Sequence, residues 1–176
     1  MNKLWLSAFL LICFAFGSSA KAGILVDPYI GFGTQKSTLD AGSSNFDEDT
    51  QTAKFIGSRL GFSFLLLSGG LDYQVMSDSE VDQKNMSLFV GVDLPILLRA
   101  WAEYFIDSDF ENDDVTDVEF KDGYSIGVGF TGLPFVSLNL EAQTINYDAK
   151  LRSNPTVTEE LKSAAYVLSV SLPLDL

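Results

Sequence analysis

The sequence of 176 residues contains no histidine, one cysteine and only five prolines. Without histidine, there is no imidazole for a catalytic triad or a metal site, and no side chain that normally titrates near neutral pH. A single cysteine, Cys13, cannot form a disulfide within the chain. Basic residues are also scarce, with 11 Lys and Arg against 24 Asp and Glu, which gives a net charge of -13. A chain this acidic lacks the basic face that nucleic-acid binding requires, so we expect no nucleic-acid partner.

The first 22 residues have the features of a cleaved secretory signal peptide. Lys3 supplies a positive start, residues 4–16 form an apolar run broken only by Ser7, and small residues lead up to Ala22. This run is shorter than the roughly 20 residues of a membrane-spanning helix. We therefore expect export, with cleavage after Ala22 and one domain at 23–176. Because Cys13 would be removed, the exported domain has no disulfide, which is typical of a bacterial envelope protein.

After Gly23 the sequence alternates between apolar and polar residues with a period of two, the signature of β-strands. Eight such segments occur, at 24–33, 56–66, 71–75, 86–93, 98–106, 124–131, 136–143 and 163–172. Short connections at 67–70, 93–95 and 131–134 alternate with long polar ones at 36–53, 77–85, 107–122 and 147–162. An even number of strands, with short turns at one end and long loops at the other, is typical of an outer-membrane barrel.

The two faces of these strands differ in size as well as in polarity. One face carries bulky apolar residues, and the other carries Gly, Ser and a few long polar residues. Small residues fit the narrow lumen of an eight-stranded barrel, whereas bulky apolar residues can face lipid. Tyr104, Tyr124 and Tyr166 fall near the long connections, where an aromatic girdle is expected. The sequence thus predicts an all-β fold, an eight-stranded antiparallel up-and-down transmembrane β-barrel.

The segments Pro28–Gly33 (PYIGFG) and Tyr124–Phe130 (YSIGVGF), together with the strand count and loop rhythm, resemble the small eight-stranded outer-membrane barrels. These are the OmpA transmembrane-domain and OmpX-like group, and the resemblance covers Gly23–Leu176. It implies a location in the bacterial outer membrane, in contact with outer-membrane lipid. We expect a monomer without a cofactor. Such barrels usually end in an aromatic residue, and this sequence departs from that pattern by ending in LPLDL.

Several charged residues fall on the predicted inward face of the barrel. Arg59, Glu103 and Glu141 come at similar heights above the short turns, and Arg99 comes lower, nearer Asp27 and Asp72. Buried charges need partners, so we predict two layers of ion pairs that plug the lumen. The resemblance implies comparable internal Arg–Glu pairs, some of them proposed as gates. A purely structural plug and a narrow ion path opened by exchange of partners both remain open.

No enzymatic site is expected. Glu103 and Glu141 form an inward carboxylate pair, but a plugged lumen offers no accessible cleft for general acid–base catalysis. The enzymes among small outer-membrane barrels resemble acyltransferases or deacylases built around a histidine, which this sequence lacks. The glycines at 127, 129 and 132 match a dinucleotide fingerprint in spacing alone, because no helix follows them.

The connection 107–122 is the most acidic exposed segment. Its acidic residues include Asp107, Asp109, Glu111, Asp113, Asp114 and Asp117, and Lys121 is its one base. Three interpretations stay open: a solvated loop, weak binding of Ca²⁺ or Mg²⁺ that bridges to lipopolysaccharide phosphates, or a partner surface anchored by Phe110 and Phe120. We assign no metal site.

Taken together, these features favour a structural or surface-interaction role, in envelope stability or in adhesion through acidic extracellular loops. Two alternatives come from other classes of protein. One is a narrow ion or small-solute channel gated by the internal Arg–Glu pairs. The other is a secreted soluble barrel that holds an apolar ligand inside, which requires the bulky face to point inward.

Overall fold

The computed structural model describes residues 22–41, 44–45, 49–77, 81–112, 115–151 and 154–176. The predicted signal peptide, 1–22, lies outside this part except for its last residue. The strands are β1 (Ala22–Ala41), β2 (Ser44–Asn45), β3 (Asp49–Phe64), β4 (Leu67–Ser77), β5 (Val81–Leu94), β6 (Leu98–Asn112), β7 (Val115–Phe130), β8 (Ser137–Leu151), β9 (Asn154–Ser171) and β10 (Leu174–Asp175). These residues include no helix long and apolar enough to cross a membrane.

The eight long strands, β1 and β3 to β9, form a closed antiparallel barrel. Each pairs with the next long strand along the chain, and β1 also pairs with β9, from Tyr29↔Ser171 to Asp40↔Glu160. The two short strands β2 and β10 pair with the two ends of β1. Hairpin connections suffice for this order, and closure pairs the two outermost strands of the sheet with each other. The predicted fold class is confirmed.

Three short connections lie together at one end of the barrel, which we call the turn end. They are Leu65–Leu66, Pro95–Leu97 and the segment 131–136. The third begins where the sequence predicts it and is two residues longer, the second lies two residues later than predicted, and the first lies two to four residues earlier. The prediction at 67–70 was wrong because Gly69 and Gly70 pair within the sheet, where a Cβ on Gly70 would collide with the backbone of Leu60 and Gly61. Glycine is needed here because the two strands come close together, not because the chain turns.

At the opposite end the strands are longer than predicted. Alternation predicts strands of roughly 9–11 residues, whereas the long strands have 11 to 20. Much of the four predicted loops is therefore strand, including 107–112 in β6 and 115–122 in β7. We call this end, formed by the segments 36–53, 77–85, 107–122 and 147–162, the acidic end. Alternation does not reveal these extensions because both faces of a strand can carry polar residues there.

The outward face of the barrel is apolar, and bulky residues stand exposed on it. Ile30 is 65% exposed, Phe62 73%, Val90 67% and Ile126 62%. Inward-facing polar and charged side chains, by contrast, are buried, among them Asp27 at 0%. A water-soluble barrel has the reverse arrangement. The alternative of a soluble barrel with an apolar ligand inside required the bulky face to point inward, so the structure does not support it.

Nearer the acidic end the barrel interior changes character. Ten buried residues pack there as an apolar cluster: Ala53, Phe55, Met76, Phe105, Phe110, Ile145, Tyr147, Leu161, Ala165 and Val167. Val118 and Phe120 pack against it.

Pairing of β6 with β7 runs from Leu98↔Phe130 to Tyr104↔Tyr124 among the described residues, whereas β5 and β6 stay paired as far as Val81↔Asn112.

Candidate functional site: the charged lumen and the acidic end

Arg59 on β3 lies at the centre of a buried charge network and is 3% exposed. Its Nε atom lies 3.0 Å from Glu103 Oε1, and its Nη2 atom lies 2.8 Å from Glu141 Oε2. Strand register places Arg59 directly opposite Asp27 on β1 and Asp72 on β4. Barrel closure then brings Glu103 from β6 and Glu141 from β8 across the lumen. Four carboxylates thus lie within 4 Å of one guanidinium.

Arg99 extends the network toward the turn end. Its Nη1 atom lies 2.8 Å from Asp27 Oδ2, and its Nε atom lies 3.2 Å from Asp93 Oδ1. Asp27 Oδ2 also lies 3.8 Å from Arg59 Nη1, so Asp27 links the two arginines. The structure therefore holds one connected network, where the sequence predicts two layers. Asp72, predicted near Arg99, contacts Arg59 at 3.4 Å, because the stagger of barrel strands shifts heights counted from the turns.

Two aromatic rings flank the Arg59 guanidinium. Its central carbon lies 4.4 Å from the centroid of Trp101 and 4.9 Å from that of Tyr29, which is cation–π geometry. Glycines make room for both rings, since a Cβ on Gly127 would collide with Trp101 and one on Gly57 with Tyr29. Sequence reasoning missed this arrangement. The signal for it was present, in the form of large aromatics and glycines sharing the inward face of paired strands.

Amide and hydroxyl side chains extend the polar network from Glu141 toward the acidic end. Gln143 Nε2 donates hydrogen bonds to Glu141 Oε1 at 2.8 Å and to Gln74 Oε1 at 3.1 Å. Further bonds connect the buried residues Gln35, Gln83, Asn85, Ser108, Tyr147 and Ser163. Most of these residues fall in the predicted loops or beside them, which is why the sequence did not indicate them. Side chains thus fill the lumen from the charges up to the apolar cluster.

Only part of the predicted cation loop has described side chains. Asp107 and Asp109 are exposed on β6. The backbones of Glu111 and Asp117 belong to β6 and β7, but their side chains, and all of Asp113 and Asp114, lie outside the described part. Among the residues that the structure describes, no group of three or more acidic residues is arranged to hold a metal ion.

Neighbouring strands bring three acidic residues into one row at the acidic end. Glu119 on β7 pairs with Asp148 on β8, which pairs with Glu160 on β9. Like charges directly opposite one another are destabilising. Lys121 relieves part of this repulsion, because its Nζ donates a hydrogen bond to Glu160 and lies 3.7 Å from Asp148. The bond to Glu160 raises the pKa of Lys121. The sequence placed these residues in two separate loops and missed the row.

A closed eight-stranded antiparallel barrel that is apolar outside and charged inside has the architecture of the small outer-membrane β-barrel proteins. Comparison with solved structures finds the same fold. The chain is similar to the Neisserial surface protein NspA, with a TM-score of 0.50, 14% identity, and coverage of 86% of this chain and 98% of that one. It is also similar to Ail, the attachment invasion locus protein of Yersinia pestis, with a TM-score of 0.52, 10% identity, and coverage of 86% and 99%. No protein-family model and no curated protein sequence matches the chain.

Proposed function

We propose that this protein crosses the bacterial outer membrane as a monomeric barrel and serves the envelope through its structure and its surface. The observation that carries the proposal is the belt of exposed bulky apolar residues around a closed barrel. In water this belt would cost about 25 cal/mol for each Å² of apolar surface, whereas in a bilayer it is buried in lipid. We therefore expect the lipid of the outer membrane to be the partner of this belt.

The filled lumen supports a structural role over an enzymatic one. Arg59 is held by carboxylates from four strands, so the network ties distant parts of the barrel wall together. Removing one member of such a buried network leaves an unpaired charge, which is strongly destabilising. Glu103 and Glu141, the carboxylates closest to Arg59, are engaged by its guanidinium, and both are buried. We therefore assign this site to stability and propose no reaction for it.

The acidic end is the proposed interaction surface. Of the 24 acidic residues, 18 lie in its four segments, with six bases. Ail was solved with the heparin analogue sucrose octasulfate, a polyanion. The acidic end of the present chain would repel such a ligand and attract cations, so its partners are basic surfaces, or divalent cations that bridge it to lipopolysaccharide phosphates.

The membrane location is tested by gel migration of the membrane fraction with and without boiling. A folded outer-membrane barrel resists detergent unfolding at room temperature and migrates differently from the boiled chain. We expect two bands and recovery in the outer-membrane fraction. Recovery of the chain as a soluble protein, with one band under both conditions, would contradict the proposal.

Cation binding is tested by a calcium titration of the folded protein, followed through the backbone amide NMR signals of the connection 107–122. We expect shifts in this connection that the double variant Asp107→Asn with Asp109→Asn reduces. The matched control is Asp148→Asn with Glu160→Gln, which removes the same number of acidic residues from the row beside Lys121 and leaves those shifts in place. The absence of any shift below millimolar calcium would end this part of the proposal.

A narrow ion path is the second candidate, and one observation favours it. Because Arg59 has four carboxylates within 4 Å, it can exchange partners over short distances. Planar-bilayer recording of the wild type beside Arg59→Ala and Glu141→Ala tests this. A silent wild type would rule out the channel and leave the structural plug.

A further inference from the structure

The three turns at the turn end are as apolar as the outward belt, and the exposed Asp175 of β10 lies beside them, where Ser63 Oγ donates a hydrogen bond to its carboxylate. The turn residues are strongly exposed, with Leu65 at 57%, Ile96 at 67%, Leu97 at 54% and Phe135 at 87%. The segments 64–68, 94–98 and 130–136 contain no charged residue. Turns that project into water usually carry Gly, Asn, Asp or Ser. This end of the barrel therefore has the surface of a lipid-facing strand rather than that of a solvated loop.

Backbone conformation strengthens this reading. Leu65, Leu97 and Phe135 have φ angles of 59°, 61° and 67°, in the left-handed region where glycine or asparagine is the less strained choice. A bulky apolar residue there costs of order 1–3 kcal/mol. Each of the three turns pays this cost for an exposed apolar side chain. The cost is offset if the side chain leaves water when the protein reaches its final environment.

The backbone of the turns is also prepared for an apolar environment. The carbonyl of Leu66 accepts a hydrogen bond from the Asp93 N–H at 2.7 Å, and that of Leu97 accepts one from the Thr131 N–H at 2.8 Å. Each turn is thus bonded to the neighbouring hairpin. In lipid a backbone polar group must find its partner within the protein. These bonds satisfy turn carbonyls that would otherwise need water.

The height of the apolar belt gives an independent argument. On β3 the outward residues from Phe64 to Ile56 are apolar except for Ser58, and the next outward residue is Lys54. On β5 it extends from Leu94 to Met86, followed by Lys84. Eight steps of about 3.4 Å at a tilt of about 40° rise only roughly 20 Å, whereas the apolar band of an outer-membrane barrel is about 25 Å tall. The belt reaches that height only if the turns belong to it.

We infer that the turn end is a lipid-contacting surface that sits in the acyl and glycerol region of the adjacent phospholipid leaflet, not in the water beyond it. This inference rests on the proposed membrane location. The occupant is phospholipid because the turn surface is continuous with the lipid-facing belt through the exposed residues Phe64, Leu94 and Leu98. The turn end of the barrel is thus immersed in the membrane, and the long strands of the acidic end project from the opposite face of the bilayer.

Spin labels at single cysteines test the inference. In a Cys13→Ser background, Ile96→Cys and Phe135→Cys report on two different turns, Val90→Cys reports on the belt, and Asp109→Cys on the acidic end. The labelled proteins are folded into phosphatidylcholine–phosphatidylglycerol bilayers, and collision with oxygen is compared with collision with a water-soluble nickel chelate. We expect oxygen to dominate at Ile96, Phe135 and Val90, and the nickel chelate to dominate at Asp109.

The control positions separate the two proposals. Nickel access at Ile96 and Phe135, with Val90 protected, would overturn the inference while leaving the membrane barrel intact. Nickel access at Val90 as well would overturn both. Protection of the turns in native outer membrane but not in pure lipid would also overturn the inference, because it would identify a protein as the occupant.

Discussion

The two halves of the barrel distribute apolar and polar side chains in opposite ways between the inside and the outside. Toward the turn end the outside is apolar and the inside is charged, with Arg59 and Arg99 surrounded by carboxylates. Toward the acidic end the inside holds the apolar cluster around Phe55, Phe105 and Tyr147 beside uncharged amide and hydroxyl side chains, and the outside is polar. The difference shows that the surrounding medium decides which face of a strand is apolar. A strand in lipid exposes its apolar face, whereas a strand in water buries it.

The largest expected effect comes from removing the central charge of the turn-end half. Arg59→Met leaves Asp72, Glu103 and Glu141 without their buried cation, and we expect a loss of about 3–5 kcal/mol in the free energy of unfolding. Urea unfolding in lipid bilayers measures it. Adding Glu141→Gln to Arg59→Met should recover part of the loss, since it removes one unpaired charge.

Lys121→Met is the matched control at the acidic end. Lys121 is also paired with two carboxylates, but its side chain is 44% exposed. Solvent screens an exposed pair of this kind, so we expect a much smaller loss of stability than for Arg59→Met. Equal losses of unfolding free energy for Arg59→Met and Lys121→Met would show that the charge networks of the two halves do not differ in their contribution to stability.

The apolar cluster is tested by two phenylalanines of the same strand. Phe55 is 1% exposed and Phe62 is 73% exposed, both on β3. Phe55→Ala leaves a cavity in a packed interior, with an expected loss of about 3–5 kcal/mol. Phe62→Ala should cost less, because lipid fills the space. If Phe62→Ala proved the more damaging of the two in bilayers, the interior near the acidic end would not be a packed core.

A charge placed in the belt has a smaller but still clear expected effect. Val90→Lys puts an ammonium group on the outward face of β5, with an expected cost of about 2–4 kcal/mol near the middle of a bilayer. Asp109→Lys, on the outer part of β6, should change stability by no more than about 0.5 kcal/mol. Folding yield and urea midpoints in bilayers compare the two. A harmless Val90→Lys would mean that β5 does not face lipid.

The smallest effect concerns the seam between β6 and β7. Because the pairing of β6 with β7 among the described residues ends at Tyr104↔Tyr124, we expect amide hydrogens of 118–123 that face the seam to exchange faster than those of 124–130. Hydrogen exchange followed by NMR resolves the two segments of one strand. Uniform protection along β7 would show that the seam is closed in solution.

Alternation in the sequence is enough to identify the eight strands and the face that each residue of the predicted segments occupies. Inward polar residues such as Arg59, Glu103 and Glu141 were identified because a period of two assigns a side to every residue once a strand is recognised. Turn positions were less reliable. Glycines at 69 and 70 indicated a turn, but the structure uses them where two strands come close together.

The sequence does not predict which residues contact one another across the lumen. Asp72 reaches Arg59 rather than Arg99, and Asp27 joins both arginines, because barrel stagger decides which heights coincide. The row of Glu119, Asp148 and Glu160 likewise depends on the pairing register of three consecutive strands, which alternation does not reveal. Trp101 and Tyr29 were assigned their inward face by alternation, but their place beside Arg59 was not.

The sequence by itself determined what is local: strand identity, inward and outward faces, the apolar belt and the concentration of acid in four segments. Only the tertiary structure decided strand lengths, the single connected charge network, the apolar cluster and the apolar cap at the turn end. The physical reason is that alternation is a property of each strand alone. Register, stagger and closure depend on all eight strands together, and they choose the neighbours of every buried charge.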